Sequence, residues 1–466
     1  MSAPERLRDD DDGTSPAAEA RRLVSLSTPA PEITLAGFLR HARGAPRFCW
    51  DNAREQSAFA ASGVALEISG WGEARFGSVA RKARALFEGA LIPSNKPLAA
   101  PQLFGGFAFR ADFLPDRAWA DFPPAHFVLP HFQLARAGGE AWLTINALAP
   151  WDDDPEQVLP DLAAALAAKR NALETELSTD APAPKLSALD YPMSYDDWTR
   201  AIHALTREMA GPDRALDKAV LARAAEAHFD RAPDVDRALS YLAERYPGTY
   251  RFLFEPRAGH AFFGATPELL VRVNGLRLET MALAGSIGRG KTPAEDVQLG
   301  AELLASAKDR SEHAIVITAI QRVLQPFACA IHTGDTGLLK LSNIQHLHTP
   351  VTAELQGRLG VLPLVEALHP TPALGGQPRA RAMAAIAAQE PVTRGWYAGP
   401  IGMLDARLDG AFAVGIRSAV AESMQQRAWL YAGCGIVAES EPEREWRESA
   451  LKFKPMLEAL GIREGR

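Results

Sequence analysis

The feature that most restricts how this chain can fold is its punctuation. Short apolar stretches, broken by Gly and Pro, recur along its length, and helical segments fall among them without strand–helix–strand alternation. A doubly wound parallel sheet needs a crossover, usually a helix, after each strand, so this pattern argues against one. It predicts an α+β fold, a large sandwich of two antiparallel sheets with flanking helices.

Between Leu23 and Pro150, Gln102–Phe109 and Trp142–Leu148 read as strands. Gln157–Leu177 is rich in Ala, Leu and Glu and reads as a helix. It runs into Ser178-Thr179-Asp180-Ala181-Pro182-Ala183-Pro184, either a subdomain boundary or an excursion over one large domain. Farther on, Ser194 and Asp197 look like a helix cap, with Trp198, Ile202, Leu205 and Met209 at helical spacing up to Gly211. Leu216–Ala224, Arg251–Phe254 and His260–Phe263 read as strands, and Glu268–Val273 and Arg277–Leu283 flank a hairpin signal at Asn274-Gly275. Capping-box spacing predicts helix starts at Thr292–Glu295 and at Asp309–Glu312. Strands Phe412–Ala419 and Trp429–Ala432 lead through Gly433-Cys434-Gly435 to a last helix, Pro442–Leu460.

With 466 residues, 47% apolar and 23% charged, the chain has room for one very large domain or several smaller ones. The expected division is a mobile tail over 1–20, acidic at Asp9–Asp12, and a single domain over 21–466, with an N-terminal half (21–184) and a catalytic half (185–466). A formal charge of −7 gives no footprint for nucleic acid. Cys49, Cys329 and Cys434 are too scattered for a disulfide framework or a CxxC metal site. The N-terminus lacks the order of a signal peptide and no apolar run is long enough to span a membrane, so a cytoplasmic protein with no membrane partner is expected. Nothing repeated or coiled-coil-like demands assembly, and a monomer is expected.

Gly285-Ser286-Ile287-Gly288-Arg289-Gly290-Lys291-Thr292 satisfies the phosphate-loop pattern of nucleotide hydrolases. Its context argues otherwise. The preceding strand belongs to a hairpin, Pro293 removes a first-turn amide, and no later apolar run ends in an Asp for magnesium. A glycine-rich turn lining a different pocket is the reading preferred, and an ATP-turnover assay separates the two.

Glu441, Glu445, Glu448 and Lys452 share one face of the last helix. By spacing alone they form a solvated stripe, yet the apolar stripe lies beside them rather than opposite, so they could also edge a cavity. Taken singly, Glu312 reads as a cap residue, Glu268 as an exposed strand start and Lys218 as an edge-strand charge. His346 and His348 alternate on one strand face, and Arg417 interrupts an apolar strand, where it needs an anionic partner. Together, paired carboxylates without Cys ligands suit magnesium rather than zinc, and an Arg and a Lys beside them suit a carboxylated substrate. A lysine in an apolar strand and a separate Glu suit base and acid. The residues alone point to metal-assisted acid/base chemistry on a small anion.

From Ser194 to Leu460 the chain resembles the chorismate-utilising family of isochorismate, salicylate, anthranilate and aminodeoxychorismate synthases. The resemblance rests on Leu216–Arg223, Phe263–Leu270, Leu283–Ser286, Lys308–His313, Gln345–Leu347, His369–Gly376, Arg394–Pro400, Ala432–Val437 and Glu445–Glu448 with Lys452. It implies two extensive sheets with the site between them. Glu312 and Glu448 would hold Mg²⁺, which takes the ring carboxylate of chorismate, with Glu445 behind them. Tyr397, Arg417, Lys452 and a Gly433–Gly435 turn would grip carboxylates. Lys218 would activate water for attack at C2 while Glu268 protonates the departing C4 hydroxyl. His346 would line the ring pocket, with Ala284, Gly285, Ser286, Ala373 and Leu374 also at the substrate. Ala307 departs from the family, where Glu is frequent, without touching Glu312.

Three positions choose among the siblings. Members that add ammonia usually carry Gln in place of Lys218, so water is the expected nucleophile and no amidotransferase subunit is required. Aminodeoxychorismate synthases commonly place a nucleophilic lysine where this chain has Ala284. Pyruvate-eliminating members tend to carry Thr where this chain has Ala373. The resemblance thus implies an isochorismate synthase, with salicylate synthase as runner-up. A chorismate-binding pseudoenzyme would not need Lys218 and Glu268. Whether the product serves menaquinone, a siderophore or salicylate stays open.

Overall fold

The computed structural model describes residues 5–7, 21–175, 177, 182–212 and 215–462. The expected mobile tail, apart from 5–7, and most of the 178–184 linker lie outside the described residues. Two large sheets, of 11 and 12 strands, organise the chain. Every strand pairing is antiparallel except that of Glu5–Leu7 with Leu66–Ile68.

Each sheet draws on both halves of the sequence. In the first, Gln102–Phe107 lies against Pro400–Asp405. In the second, Arg47–Asn52 lies against Tyr250–Arg257. Strand alternation then sorts the apolar residues into two cores. Phe252 and Phe254 belong to the core shared with Phe104 and Phe412 of the first sheet. Leu253, between them, belongs to a second core with Leu239 and Leu457 of two flanking helices. The second sheet is therefore apolar on both faces, which is why its strands read as apolar runs rather than as an alternation.

Two neighbouring strands of the second sheet continue into the first. His260–Thr266 pairs with Ser418–Glu422 in the second sheet, and Leu269–Asn274 pairs with Gly410–Val414 in the first. Pro267-Glu268 and Gly415-Ile416-Arg417 are the links. The expected strand Phe412–Ala419 is thus broken at Gly415–Arg417, and the one expected from Glu268 begins at Leu269. The links are tied together: the Val414 amide donates to the Glu268 carbonyl and the Ala265 amide to the Arg417 carbonyl, each at 3.0 Å.

Three further expectations need correction. Gly433 and Gly435 are strand residues of Arg427–Ile436, opposite Ala222 and Val220, not a turn. The helix carrying Glu312 spans Ala307–Leu324 and is capped by Ser306, whose Oγ accepts from the Asp309 amide. Glu312 is accordingly a turn further in than a capping acid. The helix expected over Gln157–Leu177 runs from Pro155 to Leu173. The Asn274-Gly275 hairpin forms as expected, with Asn274 opposite Arg277 and Gly275 at φ +64°.

Candidate active site

A cavity opens where the two sheets meet. Of the residues given a role at the site above, all line it except Lys218 and Glu445, and Glu441 and His348 lie outside it. The two sheet links supply Glu268 and Arg417, and the last helix supplies Glu448 and Lys452.

Lys218 opens the strand Lys218–Phe229 and is fully buried, which rules out an edge-strand charge. Its Nζ lies 2.8 Å from Glu312 Oε1. The strand opposite carries glycine here, and a Cβ on Gly435 would stand 2.3 Å from Glu312 Oε1 and 2.9 Å from Lys218 Cε, so a larger residue would displace the pair. Burial pushes the Glu312 carboxyl up, but Lys218, Lys452 and Lys308 outweigh it and hold the group below its ordinary value. Lys452 Nζ lies 2.7 Å from Glu448 Oε1 and donates to the Gly433 carbonyl at 2.9 Å. Glu445 and Glu448 are therefore no solvated stripe, whereas Glu441 is exposed at the helix start. Glu445 is buried behind the cavity wall, held by Lys308 at 2.8 Å. Its carboxyl is pushed up by burial and by the charge of Glu448.

Glu268 is 5% exposed and not the free strand start it resembles in isolation. Burial pushes its carboxyl up to about 7, against the opposing fields of Lys218, Lys452 and Arg417. Arg417 is also buried, at φ +49°, and its Nη1 has no hydrogen-bond partner. Its Nη2 is 3.2 Å from His346 Nε2, and His346 Nδ1 is 2.8 Å from Ser286 Oγ. Since arginine cannot accept, Nε2 is the acceptor and the imidazole proton sits on Nδ1, donated to Ser286. Burial, with Arg417 and Lys452 nearby, keeps this histidine neutral. Tyr397 stacks on Tyr431, ring centroids 5.2 Å apart, and Trp119 Nε1 donates to the Tyr431 hydroxyl at 3.0 Å.

Sequence reasoning passed over Arg394 and Glu390. Arg394 lines the cavity and pairs with Glu390 at 2.6 Å. It donates to the carbonyls of Val220 and Leu374, and Glu390 Oε1 accepts from the Ala222 amide. The pair fastens the Lys218 strand to the segment bearing Ala373. The i, i+4 spacing was the available signal, but such pairs are usually superficial.

The phosphate-loop pattern takes another form. Ser286, Ile287 and Gly288 are strand residues opposite His346, Gln345 and Ile344. The amides of Gly290 and Lys291 donate to Asp296 and Glu295 of the following helix, which occupy the place a phosphate would need.

Among the described residues no group of three or more His, Cys, Asp or Glu is placed to hold a metal ion. Magnesium does not require one: it binds through one or two carboxylates and completes its shell with water and substrate oxygens. Glu312 and Glu448 line the same cavity, beside Lys218 and Lys452, and two carboxylates without soft ligands fit such an ion.

The family of chorismate binding enzymes matches residues 13–461. Isochorismate synthase MenF of Bacillus subtilis is 37% identical over 78% of this chain and 75% of its own length. The salicylate biosynthesis isochorismate synthase of Pseudomonas aeruginosa is 36% identical over 90% and 85%. The structure of MenF, the menaquinone-specific isochorismate synthase from Escherichia coli, superposes with a TM-score of 0.78 at 26% identity, covering 94% of both chains.

Proposed function

This chain belongs to the chorismate-binding enzyme family, and from that premise we propose that it is a magnesium-dependent isochorismate synthase. The observation that carries the reading is Glu268, a buried carboxyl pushed up to about 7 in the same cavity as the unpartnered Nη1 of Arg417. A carboxyl so placed keeps a proton to give at neutral pH, and the guanidinium awaits an anion.

In the proposed reaction Arg417, Tyr397 and Lys452 hold the carboxylates of chorismate, and His346 borders the ring. Glu312 and Glu448 would hold Mg²⁺, with Glu445 behind them; the ion supplies positive charge to the ring carboxylate. Lys218 takes a proton from water as the water oxygen bonds to C2. The ring double bonds shift, the C4–O bond breaks, and Glu268 delivers its proton to the leaving oxygen. One water enters and one leaves, so the product is an isomer of the substrate.

Ala373, without a hydroxyl at the ring pocket, favours this product over salicylate, and Lys218 favours water over ammonia. In the same reading residues 21–466 work as one catalytic unit, supported by strands from both halves in each sheet. A cytoplasmic monomer needing no amidotransferase subunit, nucleic acid or membrane completes the proposal. No helix among the described residues is long and apolar enough to cross a membrane. Incubating the protein with chorismate and magnesium, without ammonia, tests it. Isochorismate with little or no pyruvate is expected, and stoichiometric pyruvate with salicylate would replace this reading by the runner-up.

A further inference from the structure

A second cavity adjoins the segment that carries Ala373: Pro370 lines it, while Ala373 and Leu374 line the active cavity. Phe109, whose ring lies 4.2 Å from the Arg394 guanidinium, is also in its wall. Two helices begin there, Arg75–Phe87 and Arg379–Gln389. Neither start is capped by a side chain and neither first turn holds an acid. Each opens on an arginine, the disfavoured charge at a helix N-terminus. Uncapped first-turn amides and the dipole both favour an anion at such a point.

Arg75 supplies the independent observation. It is only 4% exposed, its Nε has no partner, and its Nη1 donates to the Gly72 carbonyl at 3.1 Å. Neither Arg75 nor Arg379 forms an ion pair among the described residues. Glu73 and Glu366 line the cavity too, but both are exposed, and Asp112 is taken by Arg110 at 2.8 and 2.6 Å. Burial still pushes the Arg75 guanidinium down to about 10 despite those glutamates. Arg75 is thus the buried charge of this cavity, while Arg379, Glu73 and Glu366, which also line it, are exposed.

We propose that this cavity is a second ligand site, for a small organic oxyanion. Its carboxylate or phosphate group would lie between Arg75, Arg379 and the two helix starts, with its apolar body against Pro370 and Met383. Through Pro370 an occupant would reach the segment bearing Ala373. Binding itself does not rest on the chorismate reading.

The test is thermal unfolding and calorimetric titration of the full-length protein, without chorismate. The probes are benzoate and inorganic phosphate, with sodium chloride at matched ionic strength. At least one probe should raise the Tm beyond chloride and should bind at least tenfold more weakly to Arg379→Glu. Benzoate alone would identify a carboxylate ligand and phosphate alone a phosphoryl ligand. Arg379 is exposed, so reversing its charge leaves the fold intact. Arg75→Met should show the same loss if it folds; if it does not, Arg379→Glu decides. Equal shifts from chloride, or a probe affinity unchanged in Arg379→Glu (as for binding in the active cavity), would overturn the proposal.

Discussion

Lys218 Nζ lies 2.8 Å from Glu312 Oε1, with the lysine fully buried and the carboxylate facing the cavity. The proposed base therefore stands behind a proposed metal ligand. Losing either side chain would leave the other's charge buried without this partner.

Removing divalent ions with a chelator should abolish turnover, and magnesium should restore it. Glu448→Ala should not recover at the same magnesium concentration, while circular dichroism shows a folded protein. Full activity in chelator would refute the metal role.

Lys218→Ala should cut the rate on the order of 10²-fold or more. It also strips Glu312 of its nearest counter-charge. With Lys452 and Lys308 still contributing, stability should fall by about 1–3 kcal/mol. Steady-state rates beside denaturant titration separate the two effects, and a folded variant with a near-normal rate would remove Lys218 from the mechanism.

Glu268 must be protonated to act, and its carboxyl is pushed up to about 7. The rate should fall as pH rises through about 7, and Glu268→Gln should be slow at every pH without that limb. Stability follows the same sign. Because the folded group has the raised value, its contribution is full at acid pH and is lost as pH rises through about 7. Glu268→Gln should therefore be the more stable protein at pH 8–9, by on the order of 3 kcal/mol. Unfolding curves at two pH values check this.

Much of the site was legible in the sequence because its residues lie on regular elements. The helical steps between Glu445, Glu448 and Lys452 place them together, and the helix forms as expected. Glu268 and Arg417 were harder to place. Both sit where a strand leaves one sheet for the other, and an apolar run such as Phe412–Ala419 carries no mark of that change when both sheets are buried. The cap of the Glu312 helix was misplaced because Ser306 and Asp309 are both good cap residues three positions apart. The resemblance supplied roles that spacing alone left open, and the Glu390–Arg394 clamp had no role assigned from either.

Ala373 lines the active cavity and is only partly buried. Ala373→Thr should divert part of the flux to pyruvate and salicylate, provided the added volume is accommodated. A coupled dehydrogenase follows the pyruvate, and chromatography separates the ring products. A folded, active Ala373→Thr that releases no pyruvate would show that this position does not set the outcome.

The central claim is that a solvent water, deprotonated by Lys218, becomes the C2 hydroxyl while Glu268 expels the C4 oxygen. Turnover in ¹⁸O-enriched water, with the isolated product examined by mass spectrometry, tests it most directly. The account predicts isochorismate carrying one heavy oxygen, at C2. Isochorismate formed without label would mean that the original hydroxyl migrates, and would contradict the account.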